Sequence, residues 1–354
     1  MLNYIIRRLL LMIPTVLGIT FLVFTVMYFS PGGVGGQLLD DAGTLRPEER
    51  QKREQYLQQR FGIGQPFIVQ YGRWLNNVSP VGFKSSEVGW PATKLGFKSP
   101  DLGRSFVRER PVTEMIAEAL PVTITLNLIT APLVYAVALT AGMYTAARRG
   151  SKADFSIGLA FIALWSLPVM WVGVMLIGFL ANRDFLPMFP TGGLNRPQAY
   201  GWAFFPSADN VGWLLDRMWH LAAPVLCMTY GGFAFLSKLT RAAMLENLAA
   251  DFVRTARAKG QSERVILFRH VLRNSVLPLI TVASGILPGL LGGSVIIESI
   301  FSLGGMGKMS LEAITVRDRE VVLSITLVIA MISTFSLLIA DICYAAADPR
   351  VSYE

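Results

Sequence analysis

The chain has 354 residues, of which 53% are hydrophobic and only 16% charged, with a net charge of +8 at neutral pH. This composition excludes an ordinary soluble domain and points to an integral membrane protein. Cys227 and Cys343 both lie inside apolar runs, so neither a disulfide framework nor a CxxC metal or redox pair is available, and packing is their expected role.

A spanning helix needs about 20 apolar residues, and six segments meet or approach that length: Leu9–Phe29, Leu120–Ala146, Phe155–Leu180, Trp219–Leu236, Val276–Phe301 and Val321–Ala346. The expected fold is an all-α membrane protein of six transmembrane helices. Its regions are residues 1–30 with the first span, an extracytoplasmic segment 31–119, and a core 120–354 that includes a cytoplasmic loop 237–275. Arg7 and Arg8 before the first apolar run resemble a signal peptide or a twin-arginine signal. The run is too long for a signal h-region and no small-x-small site follows, so an uncleaved first span is the reading.

Six spans place both termini on one side. Arg7, Arg8, Arg148, Arg149, Lys152 and Arg350 lie on that side, and from Ser237 to Ser275 eight Lys or Arg face three acids. By the positive-inside rule this is the cytoplasm, and membrane rather than nucleic acid accounts for the net charge. The segment Ser30–Ala119 carries twelve basic and ten acidic residues and is long enough to escape the rule. Within it, "LRPEERQKREQYLQQRFG" reads as a short amphipathic helix, with Pro47 in its first turn and Gly62 at its end. Pro14, Pro132, Pro168, Pro224, Pro278 and Pro288 interrupt or bound the spans, and "LPGLLGGSV" adds Gly289, Gly292 and Gly293. They suit a bundle that bends along a transport path, or simply reflect the frequency of Gly and Pro in membrane helices.

Enzymatic chemistry has little to work with. His220 and His270 are fifty residues apart, and neither HExxH nor GxSxG occurs. The run "GGMGKMS" at Gly304–Ser310 looks like a phosphate loop, but that pattern requires Gly where Ser302 stands and Ser or Thr where Met309 stands, so it reads as a turn. Any ATP must therefore be bound by another chain. Ionisable residues inside the spans reduce to Glu298 and Asp341. Neither an ion-coupled site nor a paired-carboxylate site is evident, and Asp341 suits either a basic partner at the boundary or a substrate role.

The most charged stretch is "DFVRTARAKGQSERVILFRHVLRN", Asp251 to Asn274. Apolar residues at Leu245, Leu248, Ala249, Phe252 and Ala256 mark one helical face, Gly260 a stop, and Ser262 the cap of a second helix with Val265, Phe268 and Leu272 inward. Arg264, Arg269 and Arg273 fall on its other face. The unit is helix, glycine turn, helix. It suits a docking lever or an interfacial pair resting on anionic lipid, and its tether between two spans disfavours DNA binding.

"DFVRTARAKGQSERVILFRHVLRNSVLPL" resembles the EAA loop of ATP-binding-cassette importer permeases of the oligopeptide, dipeptide and nickel family, in the B-type subunit. "MLNYIIRRLLLMIPTVLGITFLVF", "SPDLGRSFVRERPVTEMIAEALPVTITL" and "LIADICYAAADPRVSYE" agree in order, so the resemblance runs over nearly the whole chain. It implies a coupling helix that docks on a cytoplasmic ATPase. The EAA triplet falls on Arg254, Thr255 and Ala256 and its glycine on Gly260, with Arg257 and Lys259 as further contacts; Ala256 and Gly260 keep the general consensus. Downstream, only Leu272 keeps it. A further motif, extracytoplasmic or structural, is expected at Asp101, Leu102, Gly103, Arg104 and Ser105, and at Asp341, Asp348, Pro349 and Arg350. Where peptide permeases commonly read Arg-Asp-Tyr-Pro, this chain has Arg317, Asp318, Arg319 and Glu320. The resemblance implies a subunit with no ATP site or cofactor of its own, in a prokaryotic inner membrane. Its implied partners are a second permease, two ATPase subunits or domains carrying ATP and Mg, and a solute-binding protein. Short peptides are the expected cargo. Nickel, glutathione or another small solute, and a secondary transporter or membrane scaffold, are the alternatives.

Overall fold

A computed structural model describes residues 2–29, 47–62, 64–83, 95–105, 107–182, 184–207, 210–284 and 294–347. Helix dominates. Leu2–Phe29 is α1, Pro47–Phe61 is α2 and Phe67–Val78 is α3. Two small antiparallel ribbons follow, a minor departure from the all-α expectation. Strand β1 (Val81–Phe83) pairs with β2 (Leu95–Phe97), with Gly82 opposite Gly96. Strand β3 (Arg104–Ser105) pairs with β4 (Arg110–Pro111). Then come α4 (Val112–Ala147), α5 (Lys152–Trp165), and α6 (Val169–Met175), which runs on as a π-helical turn Leu176–Leu180. Helix α7 is Trp213–Leu248 and α8 is Asp251–Ala258. The second half of the basic block is α9 (Glu263–Val265), a π-helical turn Ile266–Val271, and α10 (Leu272–Ser275). Helices α11 (Leu277–Ser284), α12 (Val295–Ile300), α13 (Met306–Thr315) and α14 (Arg319–Ala347) complete the described residues.

Among the described residues, four stretches are long and apolar enough to cross a bilayer: Leu9–Phe29, Val112–Ala147, Trp213–Leu248 and Arg319–Ile339. The expected third span is instead a broken pair, α5 and α6, bent by 83°. Pro168 lies at the break, and the residue before a proline disfavours helical geometry. The fourth span, expected to be the shortest, lies in a 36-residue helix that continues through Pro224. At 1.5 Å per residue α7 is about 54 Å long, which exceeds an apolar bilayer core of about 30 Å. Of the expected fifth span, α11 and α12 are described, while Pro288, Gly289, Gly292 and Gly293 lie outside the described residues.

The chain forms two compact units: Met1–Ile6 with Ala119–Lys308 and Phe335–Glu354, and Arg7–Glu118 with Met309–Thr334. In the first, Leu126, Leu221, Cys227, Ile297, Phe301 and Leu303 form one buried cluster and Ala138, Leu236 and Leu279 another. Cys227 is thus a packing residue, and burial pairs it with no second thiol among the described residues. In the second unit, Phe24 and Met27 of α1 pack with Phe61, Trp74, Leu323 and Leu327. Helix α3, which the span pattern does not flag, supplies Gln70, Trp74 and Val78 at four-residue intervals, one buried helical stripe. The expected helix is present as α2, with Pro47 at its start and Gly62 just beyond its end, but it is polar along its length and its described side chains are buried only at Arg60 and Phe61.

Candidate functional site

The basic block folds as a compact knob. Helix α7 ends at Leu248, and the chain restarts at Asp251 after the extended residue Ala250. This break resets the helical register. Val253 and Ala256, three apart, are the buried residues of α8, while Phe252, expected inside, is exposed. Val253 and Ala256 join Ala146, Met244, Ile266 and Val271 in one apolar cluster. Ala256 is small enough to let α8 lie against that cluster. Arg254, Thr255, Arg257, Ala258, Lys259 and Gly260 are all exposed.

Helix α8 ends in a paired-bond turn. The Gly260 amide donates to the Arg257 carbonyl at 2.9 Å and the Gln261 amide to the Ala256 carbonyl at 3.2 Å, with Gly260 at φ +73°. This is the helix stop that favours glycine. The Arg257 guanidinium then straps the turn, donating from Nε to Glu263 Oε1 at 2.7 Å and from Nη2 to Oε2 at 3.2 Å. The bond from Arg257 holds the exposed Glu263 carboxyl below its ordinary range and raises Arg257 in return. His270 Nε2 lies 2.7 Å from Gln261 Oε1, closing the far side. By contrast Arg254 is 3.5 Å from Asp251 with its side chain 78% exposed, so its charge is largely available to a partner.

The second half of the block departs from the expected face. Ser262 occupies the cap position but makes no side-chain capping bond. The π-helical turn places Ile266 and Val271, five residues apart, together inside. Val265 and Phe268, expected inside on a 3.6-residue period, are 39% and 54% exposed. Leu272 remains partly buried against the cluster, and Arg264, Arg269 and Arg273 are exposed.

The Asp101–Ser105 motif builds a separate polar centre in the second unit. Arg60, buried at the end of α2, donates from Nη1 to Asp101 Oδ2 at 2.5 Å and from Nη2 to the Asp101 carbonyl at 3.1 Å. Its Nε lies 2.6 Å from Glu320 Oε1, with both side chains 5% exposed. Burial acts to lower the pKa of Arg60, but Glu320, Tyr56 and Asp101 outweigh it and hold the group above its usual value. The Gly103 amide donates to Asp101 Oδ1 at 2.9 Å, and Ser324 Oγ to the Leu102 carbonyl at 2.7 Å. Arg104 Nη2 donates to the Glu109 carbonyl at 2.7 Å, and Ser105 Oγ donates to Asp318 Oδ2. Burial raises the Asp318 carboxyl above its normal range, opposed by the bonds from Ser105 and the Val321 amide. Asp318 and Glu320 thus anchor the 101–105 loop; sequence separation hid this pairing. Asp341 is half-buried on α14, and Asp348, Pro349 and Arg350 lie outside the described residues.

Glu298 is completely buried in α12. Its carboxylate accepts from Thr123 Oγ1 at 2.9 Å, the Ser294 amide at 3.3 Å and the Lys308 amide at 2.9 Å. The Met306 amide donates to Thr123 Oγ1 at 2.8 Å. A Cβ on Gly305 would stand 2.5 Å from that carboxylate, and one on Gly307 3.0 Å from it. The phosphate-loop look of "GGMGKMS" therefore has a physical basis: backbone amides opening α13 cradle an anion, and the anion is the chain's own Glu298. The turn reading stands, and the occupied cradle leaves no place for a nucleotide phosphate.

Residues 1–127 match the N-terminal family model, and residues 138–353 the main one, of the binding-protein-dependent transport system inner membrane component. The chain belongs to that family. This permease is 36% identical to the oligopeptide transport system permease protein AppB of Bacillus subtilis over 99% of each chain. It is 29% identical to the dipeptide transport system permease protein DppB of Alkalihalophilus pseudofirmus over 100% of each. An inward-facing crystal form of the methionine ABC transporter MetNI contains a chain with a TM-score of 0.48 at 15% identity, covering 67% of this chain and 97% of that one. The permease is the membrane subunit of an ATP-driven importer rather than an enzyme with its own ATPase site.

Proposed function

We propose that this permease imports short peptides as one of two similar membrane subunits, and that an ATPase drives it through α8 and the Gly260 turn. Similarity along the whole chain to permeases named for oligopeptides and dipeptides carries the substrate class. The exposed rim of Arg254, Thr255, Arg257, Lys259 and Gly260 supports the coupling surface, because it is presented on a knob with its own apolar core. Ala256 fixes α8 to that core. In this reading six spans place both termini in the cytoplasm, and region 31–119 lies outside between spans one and two. Two ATPase subunits or domains bind ATP and Mg, and a solute-binding protein delivers cargo. The Asp101–Ser105 loop holds the external segment in place. In the same reading Asp341, Asp348, Pro349 and Arg350 belong to an extracytoplasmic or structural motif of the family.

Reconstitution of the complete complex in proteoliposomes tests this. Uptake of a labelled peptide pool is expected to require ATP and the binding protein. Uptake driven by a proton gradient without ATP overturns the coupling, and uptake of nickel or glutathione in place of peptides overturns the substrate class.

A further inference from the structure

Helix α5 is an apolar helix with no buried residue. Phe155, Leu159 and Ile162 are 73%, 56% and 43% exposed. Between this helix and α7 runs a groove of about 450 Å³ whose wall includes Phe155, Gly158, Leu159 and Ile162 and whose other end carries Ser151, Lys238 and Arg241. The one acidic residue lining it, Asp154, is already neutralised: Arg241 donates to its two oxygens at 2.9 Å each, and the Gly150 amide adds a third bond at 3.0 Å. Lys238 is exposed, as are Arg149 and Lys152 beside the rim; Arg149 shares Asp154 with Arg241, and neither Lys238 nor Lys152 forms an ion pair among the described residues. The polar end therefore has uncompensated positive charge, and the remainder is hydrocarbon-like.

We propose that this groove binds an anionic glycerophospholipid of the inner leaflet. The headgroup phosphate sits at Lys238 and Ser151, and an acyl chain lies along Phe155, Leu159 and Ile162. Depth supports the assignment. The apolar run of α5 begins at Phe155 and that of α7 ends at Leu236, so two separate sequence boundaries meet at the polar end of the groove. From Phe155 to Ile162 a helix rises about 10 Å, enough to guide the upper part of an acyl chain. A free phosphate would leave that wall unused. Basic pockets between helices at the cytoplasmic surface are suited to anionic headgroups, each cation adding roughly fivefold in affinity. The inner-leaflet placement rests on the topology proposed above; the groove and its charge do not.

Native mass spectrometry of the whole complex, purified in mild detergent and exchanged into phosphatidylglycerol or phosphatidylcholine, tests the site. The wild type is expected to retain phosphatidylglycerol preferentially. Lys238→Glu should reduce that preference by about fivefold or more. Gly158→Leu, whose Cβ meets nothing within 4 Å, should fill the wall and lower retention of both lipids while subunit composition stays intact. Unchanged retention in both variants overturns the proposal, as does a cross-link from Gly158→Cys to the second permease, which would show that a protein helix fills the groove. Labelling of Lys238→Cys by an impermeant thiol reagent separates the two readings. Labelling from the outer side overturns the topology and leaves the retention result standing.

Discussion

The turn after α8 and the turn after α12 use the same pair of backbone bonds, and their contents differ. At Gly260 the φ of +73° falls to glycine, and a Cβ there would meet nothing within 4 Å. At Ser302 the φ is +51°, with the Leu303 amide donating to the Glu298 carbonyl at 2.8 Å and the Ser302 amide to the Ser299 carbonyl at 3.2 Å. A side chain in this conformation costs about 1–2 kcal/mol, and the fold bears that cost at Ser302. Glycine at 260 is thus not an absolute demand of the backbone. What distinguishes it is the open space around it, which a partner can fill. Beyond Ser302 the opposite holds: Gly305 and Gly307 border a space already occupied by the Glu298 carboxylate. The space beside the second turn is filled within the chain, while that around Gly260 is open, as the proposed ATPase docking requires.

Several substitutions would break or sharpen this contrast. The largest stability effect is expected at the closed cradle. Glu298→Ala strands Thr123 and backbone amides in a buried site, for a loss of about 3 kcal/mol or more, and Gly305→Ala, which collides with the carboxylate, should cost about 2–3 kcal/mol. Thermal unfolding of the purified complex reads both; wild-type melting of either variant would refute the cradle. At the open turn the expectation reverses. Gly260→Asp should cost only about 1 kcal/mol and leave membrane insertion intact, yet abolish ATP-driven uptake. Normal uptake by that variant removes the coupling role. Ser302→Gly is a matched control, expected to relieve up to about 1 kcal/mol of backbone strain with uptake unchanged.

The smallest effect concerns the Arg257–Glu263 strap. Because the folded-state pKa of Glu263 is depressed by Arg257, the strap contributes stability above the unfolded carboxyl value near pH 4.3, and this is lost as pH falls through the lower folded value. Melting curves should therefore differ between wild type and Arg257→Gln at neutral pH and converge in strong acid. High salt should shrink the difference, because both side chains are exposed.

Much of this could be read directly from the chain. Apolar runs of spanning length determined the membrane class, because hydrocarbon demands them whatever their neighbours are. The stop at Gly260 and the start of α2 at Pro47 were equally local, each depending on the φ preference of one residue. Arg254, Arg257 and Lys259 were legible as an exposed basic rim, since charge without an intramembrane partner stays at the surface.

Tertiary structure decided the rest, through contacts between distant residues. A restart at Asp251 and a π-helical turn at Ile266–Val271 exchanged Phe252 for Val253 and turned Phe268 outward, and a uniform 3.6-residue period contains neither event. Arg60 meets Glu320 across 260 positions, and Glu298 meets Thr123 across 175. Such pairings are chosen by burial: a charge removed from water must find donors or a counter-ion wherever the fold brings them. Composition determined the membrane class of this chain, and pattern the exposed basic rim where docking is proposed. Only packing decided that the space beyond the Ser302 turn is filled by Glu298 while that around Gly260 is open.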